Sequence, residues 1–195
     1  MNNNTLLYLV RHGRTALNAA GELRGHLDVP LDDVGEHEAS RLAGLFARVP
    51  LAIVVTSPLR RARQTAERIA DACGTGCLID RRLIDRDYGA WSGHTRSSVE
   101  QRFGTLDAAS GVEPIGALRV RTMMAVDEVA AAHAGEQIMF VAHDAVNRVV
   151  LSGLVPALDA GGELPQPTGC WNRLRRSDRW TAEVIGADAT DGRAP

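Results

Sequence analysis

Leu6-Leu7-Tyr8-Leu9-Val10-Arg11-His12-Gly13-Arg14-Thr15-Ala16-Leu17-Asn18 is the stretch on which the fold turns. Its apolar run, Leu6 to Val10, reads as a buried strand, and Gly13 lets the backbone turn directly after it. An imidazole beside a guanidinium at the carboxyl end of a strand has a definite chemical use. Neutral His is a nucleophile, and Arg offers a planar fork of donors that matches phosphoryl oxygens. By itself the triplet is weak, because a His at a strand end is more often a hydrogen-bonded structural residue. The remainder of the chain decides.

Two further segments repeat the pattern of strand, polar cluster and helix. Leu51-Ala52-Ile53-Val54-Val55 runs into Thr56-Ser57-Pro58-Leu59-Arg60-Arg61-Ala62. Ser57 suits a helix N-cap and Pro58 the first helical position, which puts Arg60 and Arg61 in the opening turn. Ile138-Met139-Phe140-Val141-Ala142 delivers His143, with Asp144 in N-cap position for a helix over 144–154. In an open parallel sheet, ligands bind at the carboxyl ends of strands, where helix N-termini direct free N–H groups. Arg11, His12, Arg61 and His143 are therefore expected on one edge, a cluster suited to a dianion beside two imidazoles.

Around these landmarks strand and helix alternate. Strands are expected at 5–11, 51–55, 77–80, 137–142, 169–175 and 180–186, the last two as an edge hairpin. Helices are expected near 34–48, 58–72, 97–103, 115–134 and 144–154, with loops at 12–33, 81–96 and 155–168. The fold class is α/β: a single-domain, three-layer αβα sandwich on a mostly parallel sheet with an antiparallel edge strand. One domain spans 1–195, with 1–4 and 187–195 expected as disordered tails.

The ordered blocks resemble the histidine phosphatase superfamily, the phosphoglycerate-mutase-like group. They are Val10-Arg11-His12-Gly13 with Thr15 and Asn18, then Gly25 through Gly35, then Ser57 through Ala66, and finally Val141-Ala142-His143. Between the last two, Leu83 through Gly93 is similar to that family's acid loop. The resemblance implies that His12 attacks phosphorus and that His143 supports the phosphoryl group in the transition state. It also implies that Arg11 and Arg61 hold the equatorial oxygens. Asp85 stands where the family often carries Glu as proton donor to the leaving alcohol, an acid that must be protonated at working pH. Asp87 is its rival, with a turn role as the blander account. Asn18 and Thr15 divide between phosphate contact and capping. Asp144 replaces a usual Gly; helix capping is preferred for its carboxylate, while its backbone N–H remains available to phosphate. Arg14 and Leu17 also depart from the common pattern.

Composition narrows the partners. The 195 residues carry a formal charge of −2, a hydrophobic share of 45% and 22 basic side chains, every one an arginine. Near-neutral balance argues against nucleic acid, and no window approaches a membrane span. Cys73, Cys77 and Cys170 form an odd set without metal-site spacing, as reduced thiols of a cytoplasmic enzyme would. A zinc site on His12, His143 and Asp85 ranks well below phosphate chemistry, because Arg11 and Arg61 would repel a divalent cation. The expected function is a phosphomonoester hydrolase without metal or cofactor, acting on a small-molecule phosphomonoester through a phosphohistidine; a homodimer is compatible with it. Mutase-type phosphoryl transfer is the first alternative, and a non-catalytic phospho-ligand or protein-binding module the weaker one.

Overall fold

The computed structural model describes residues 4–159 and 164–195. Residues 1–3 of the expected N-terminal tail and 160–163 of the expected 155–168 loop lie outside the described residues. All six apolar runs join one sheet: β1 (Thr5–Arg11), β2 (Leu51–Thr56), β3 (Cys77–Ile79), β4 (Gln137–Ala142), β5 (Trp171–Arg176) and β6 (Trp180–Ala187), in the order β3-β2-β4-β1-β5-β6. The first four are mutually parallel, while β5 runs antiparallel to β1 and pairs with β6 as the expected hairpin.

Register explains why the chemistry converges. Arg11 lies opposite Ala142 across the β1–β4 pair, and Val141 lies opposite Thr56 across β4–β2. The next residues, His12, His143 and Ser57, therefore leave the sheet at the same edge.

Alternation along the strands builds the two faces. Tyr8, Val10, Met139 and Val141 face one way and pack with Leu42 and Phe46 of α2 (Asp33–Phe46) and Ala66 and Ile69 of α3 (Arg60–Cys73). Leu7, Leu9, Ile138 and Phe140 face the other way, against Leu118 and Val126 of α5 (Ile115–Ala132) and Val146 and Val150 of α6 (Asp144–Leu154). This is the three-layer sandwich. Each such Leu, Val or Phe removed from water contributes about 1.5–3 kcal/mol.

A third, smaller cluster stands apart from the sheet. Leu23, Tyr88, Val99, Leu106 and Ala109 gather with Trp91 and Phe103, drawing on α4 (Arg96–Phe103) and the loops beside it. Residues 81–114 thus form a cover with its own apolar centre. Trp91 anchors it, donating through Nε1 to the Ser110 carbonyl at 2.9 Å.

Several boundaries differ from the sequence reading. α3 begins at Arg60 with extended Leu59 as N-cap, so Ser57 and Pro58 precede the helix; Ser57 Oγ instead accepts from the Leu59 N–H at 3.3 Å. The N-cap of α6 is His143, whose φ of −128° and ψ of 165° are extended, and Asp144 is the first helical residue. Its carboxylate turns down the helix to Arg148 at 2.9 Å and does not cap. Within the expected tail 187–195, Ala187 ends β6 at 1% exposure, and Asp188 closes a turn by accepting from the Thr190 N–H at 2.7 Å.

Candidate active site

Two glycines let the first catalytic turn form. A Cβ on Gly13 would lie 2.4 Å from the Gly35 carbonyl oxygen, and one on Gly35 would lie 2.0 Å from that of Arg14. The turn after β1 and the start of α2 therefore touch backbone to backbone. Asp32 secures the contact, capping α2 through the Gly35 N–H at 2.9 Å and pairing with Arg14 at 2.9 Å. Thr65 of α3 adds a third tie, accepting from the Gly13 N–H at 3.1 Å.

His12, held by that turn, is completely buried. Its Nδ1 lies 2.7 Å from the Gly13 carbonyl, which can only accept, so Nδ1 carries the hydrogen and Nε2 keeps its lone pair. Nε2 accepts from Arg61 Nε at 3.2 Å. Burial first, then the charges of Arg61 and Arg11 and the His143 ring, hold the His12 pKa well below its ordinary value. The ring is neutral, oriented and nucleophilic.

Arg61 occupies the centre at 0% exposure. Its Nη1 donates to the Leu27 carbonyl at 2.8 Å, and its Nη2 to the Gly25 carbonyl at 2.9 Å and to Asp85 Oδ2 at 3.1 Å. One guanidinium thereby joins the loop after β1, His12 and Asp85. Arg11 donates to the Gln166 carbonyl, while its Nε is buried without a partner.

His143 is also fully buried, with its ring 5.1 Å from that of His12. Nε2 lies 2.8 Å from Ser57 Oγ. Nδ1 is buried, has no hydrogen-bond partner and stands 3.8 Å from Asp85 Oδ2. Burial, followed by Arg61, Arg24 and Arg11, depresses the His143 pKa well below its ordinary value. A buried polar atom left open beside three arginines marks a place for an anion.

Asp85 is 2% exposed, and its Oδ1 accepts from the Arg86 N–H at 2.9 Å. Asp87, its rival, serves a turn: Oδ1 accepts from the Gly89 N–H at 2.8 Å, and the side chain is 45% exposed. The structure thus gathers His12, Arg11, Arg61, His143 and Asp85 and leaves Asp87 outside. Thr15 and Asn18 form a reciprocal cap on α1 (Ala16–Ala19), in which Asn18 Oδ1 accepts from Thr15 N at 3.1 Å and Oγ1 at 2.8 Å. That cap fixes the Asn18 amide and leaves its Nδ2 as the end able to serve a ligand. Asp144 sits one residue beyond His143 and lines a cavity next to the cluster.

Five residues around the site had no clear signal in the sequence. Ser57 reads as a helix cap but meets His143. Arg24, in the loop beside Gly25, donates to the Glu22 carbonyl at 3.0 Å, has a buried Nε without a partner and lies near enough to depress His143. Gln166, which receives Arg11, is locked through its amide to Asn172 at 2.8 Å and Asn147 at 3.2 Å. Arg121 of α5 clamps the acid loop from behind. Its Nη1 donates to the carbonyls of Arg82 and Ile84 at 2.7 Å each, and its Nη2 to that of Asp85 at 3.0 Å. Glu113 completes the clamp, meeting Arg121 Nε and Nη2 at 2.7 and 2.9 Å.

Known proteins resemble this chain along most of its length. The chain is 31% identical over 193 residues to phosphoglycerate mutase-like protein 4 of Arabidopsis thaliana, covering 92% of this chain and 84% of that protein. It is 30% identical over 170 residues to the metal-independent phosphoserine phosphatase of the same plant, covering 80% and 71%. A mycobacterial glucosyl-3-phosphoglycerate phosphatase solved with VO3 superposes with a TM-score of 0.84 at 25% identity, over 94% of this chain and 99% of that one. Residues 7–187 match the model of the histidine phosphatase superfamily, branch 1, and the chain belongs to that family.

Proposed function

We propose that this protein hydrolyses phosphomonoesters in two steps through a phosphohistidine on His12. The observation that carries the reading is the His12 ring: fully buried, neutral, with Nδ1–H fixed on Gly13 and the Nε2 lone pair turned to Arg61. The phosphatase names of the mycobacterial and plant relatives support hydrolysis over other uses of the same site.

Arg11, Arg24 and Arg61 surround the site with positive charge, and among the described residues Asp85 is the one carboxyl group that contacts any of the three. A phosphoryl dianion fits there without a metal, since guanidinium donors neutralise its oxygens. The dianion draws the Arg61 fork toward itself and frees Nε2 of His12. Nε2 attacks phosphorus in line with the ester oxygen; the P–O bond breaks, and Asp85 delivers its proton to the departing alcohol. Ser57, donating to Nε2 of His143, keeps a hydrogen on Nδ1 that faces the equatorial oxygens, where charge spreads in the transition state. Water then attacks the phosphohistidine and passes a proton to Asp85, the P–N bond breaks, and phosphate leaves.

Rapid alkaline quenching of a labelled phosphomonoester reaction tests the covalent step. Label is expected on His12, because a phosphoramidate survives base and is lost in acid. Substantial turnover by His12→Ala overturns the mechanism, and label on His143 exchanges the two roles.

A further inference from the structure

Beside the catalytic cluster lies a cavity of about 350 Å³, at the small end of the range for small-molecule sites. Arg86 and Tyr88, just after Asp85, form one wall; Asp144 and Ala145, just after His143, form another. These walls follow Asp85 and His143 directly in the chain, which makes this the space that an alcohol leaving from Asp85 would extend into.

The charges of the cavity are closed on themselves. Arg86 pairs with Asp107, Arg148 with Asp144 at 2.9 Å, and Arg96 with Glu100 at 2.8 Å, and all six side chains line the same cavity. Three guanidiniums face three carboxylates, so the formal charge cancels. The phosphate end differs, because Arg11 and Arg24 there have no carboxylate partner among the described residues and each keeps a buried Nε without a hydrogen bond.

A second anion on the substrate would have to break one of these pairs and then sit among the released carboxylates, which is a built-in repulsive element. Hydroxyl groups meet no such cost. They donate to the outer lone pairs of Asp107, Asp144 and Glu100 and accept from outer guanidinium hydrogens while the pairs stay intact. The Tyr88 ring, Leu106 and Ile115 offer apolar surface for the C–H face of such a molecule.

We propose that this cavity receives an uncharged, hydroxyl-rich alcohol of up to monosaccharide size, so that the substrates are polyol or sugar monophosphates and not phosphorylated carboxylic acids. The proposal rests on the phosphomonoesterase reading above and adds the class of the alcohol.

Glycerol 3-phosphate and 3-phosphoglycerate make a matched pair, differing only by CH2OH against carboxylate. With wild-type protein, kcat/KM for glycerol 3-phosphate is expected to exceed that for 3-phosphoglycerate by about tenfold or more, with glucose 6-phosphate at least as good as glycerol 3-phosphate. Asp107→Asn, at a side chain 64% exposed, releases the outer face of Arg86 and is expected to move the ratio toward 3-phosphoglycerate. An equal or better rate with 3-phosphoglycerate in the wild type, or an unmoved ratio in Asp107→Asn, overturns the proposal. p-Nitrophenyl phosphate separates the two readings: if it is cleaved while the matched pair runs the wrong way, the cavity assignment alone fails. Calorimetric binding of the same pair to His12→Ala reads the cavity without turnover. There too glycerol 3-phosphate should bind more tightly, and the reverse order or no binding of either compound overturns the proposal.

Discussion

The catalytic floor and its cover are built by opposite means. The floor consists of His12, Arg61, His143 and Ser57, all at 0% exposure and each within five residues of a strand whose register is set by the sheet. The cover, residues 81–114, is held by side chains spanning long sequence distances, notably Arg121 of α5, Glu113 and Arg86, around a small apolar cluster of its own, and it meets the floor where Asp85 accepts from Arg61. Moving a floor residue requires moving the sheet, whereas changing a lining residue of the cover leaves the sheet alone. On the mechanism and the cavity proposed above, the chemistry is thereby fixed and the choice of alcohol adjustable.

The largest effect should come from the floor. His12→Ala is expected to lower kcat by at least roughly a thousandfold on every ester, as loss of a nucleophile does, while phosphate still binds through the arginines. His143→Ala should retain binding and lose kcat, because the proposed mechanism places its contact in the transition state. If either loss depended strongly on the alcohol, the division between floor and cover would break.

Asp85 belongs to both regions and should behave so. Asp85→Asn is expected to slow alkyl phosphates by about a hundredfold more than aryl phosphates, because a phenolate departs with little help from an acid. Equal losses on both would leave Asp85 with a structural role or a role in hydrolysis of the intermediate alone. A selective loss in Asp87→Asn, despite its turn geometry, would move the proton donor two residues along.

That contrast also explains what could be read from the sequence. His12, Arg11, Arg61 and His143 follow apolar strands, and a strand end in a parallel sheet has one predictable destination. Their grouping was therefore legible, as were the mostly parallel sheet and the edge hairpin. Asp144 was misjudged because N-cap assignment rests on one residue's dihedrals, and His143 took the extended conformation. Ser57 looked like a cap for the same local reason. Arg121 gave no signal: it is one of two arginines in an eighteen-residue helix, and its meaning comes from three carbonyls nearly forty residues earlier. Arg24 and Gln166 are likewise defined by contacts across the fold.

Arg121 offers a finer test of the cover. Arg121→Lys keeps the charge but loses the fork that spans Glu113 and the carbonyls of Arg82, Ile84 and Asp85. Displacing a positioned acid without removing it should cost about tenfold in kcat on alkyl phosphates, with less effect on aryl phosphates. Hydrogen exchange of amides in 82–88 should quicken in the same variant while β1 and β4 stay protected. Uniform loosening of the sheet would show that Arg121 supports the core and not the acid loop.

The smallest effect separates floor from cover through pH. Both floor histidines have folded-state pKa values depressed below the ordinary 6.5, chiefly by burial. Just below pH 6.5 the unfolded chain therefore binds protons that the folded chain does not, so folding stability falls as pH falls through that window. Each buried histidine contributes a slope approaching about 1.4 kcal/mol per pH unit there. Glu113, in the cover, has a depressed pKa opposed by burial and won by its bonds to Arg121. Its contribution is present above the ordinary carboxylate range and is lost only at lower pH. Thermal unfolding followed from pH 7 to 4 in wild type, His143→Gln and Glu113→Gln should show two separate windows. The histidine variant should flatten the upper one, and the glutamate variant the lower. If His143→Gln left the slope between pH 6.5 and 5.5 unchanged, His143 would be charged in the empty site. The open Nδ1 would then act as a permanent cationic donor to phosphate, and its hydrogen would not depend on Ser57.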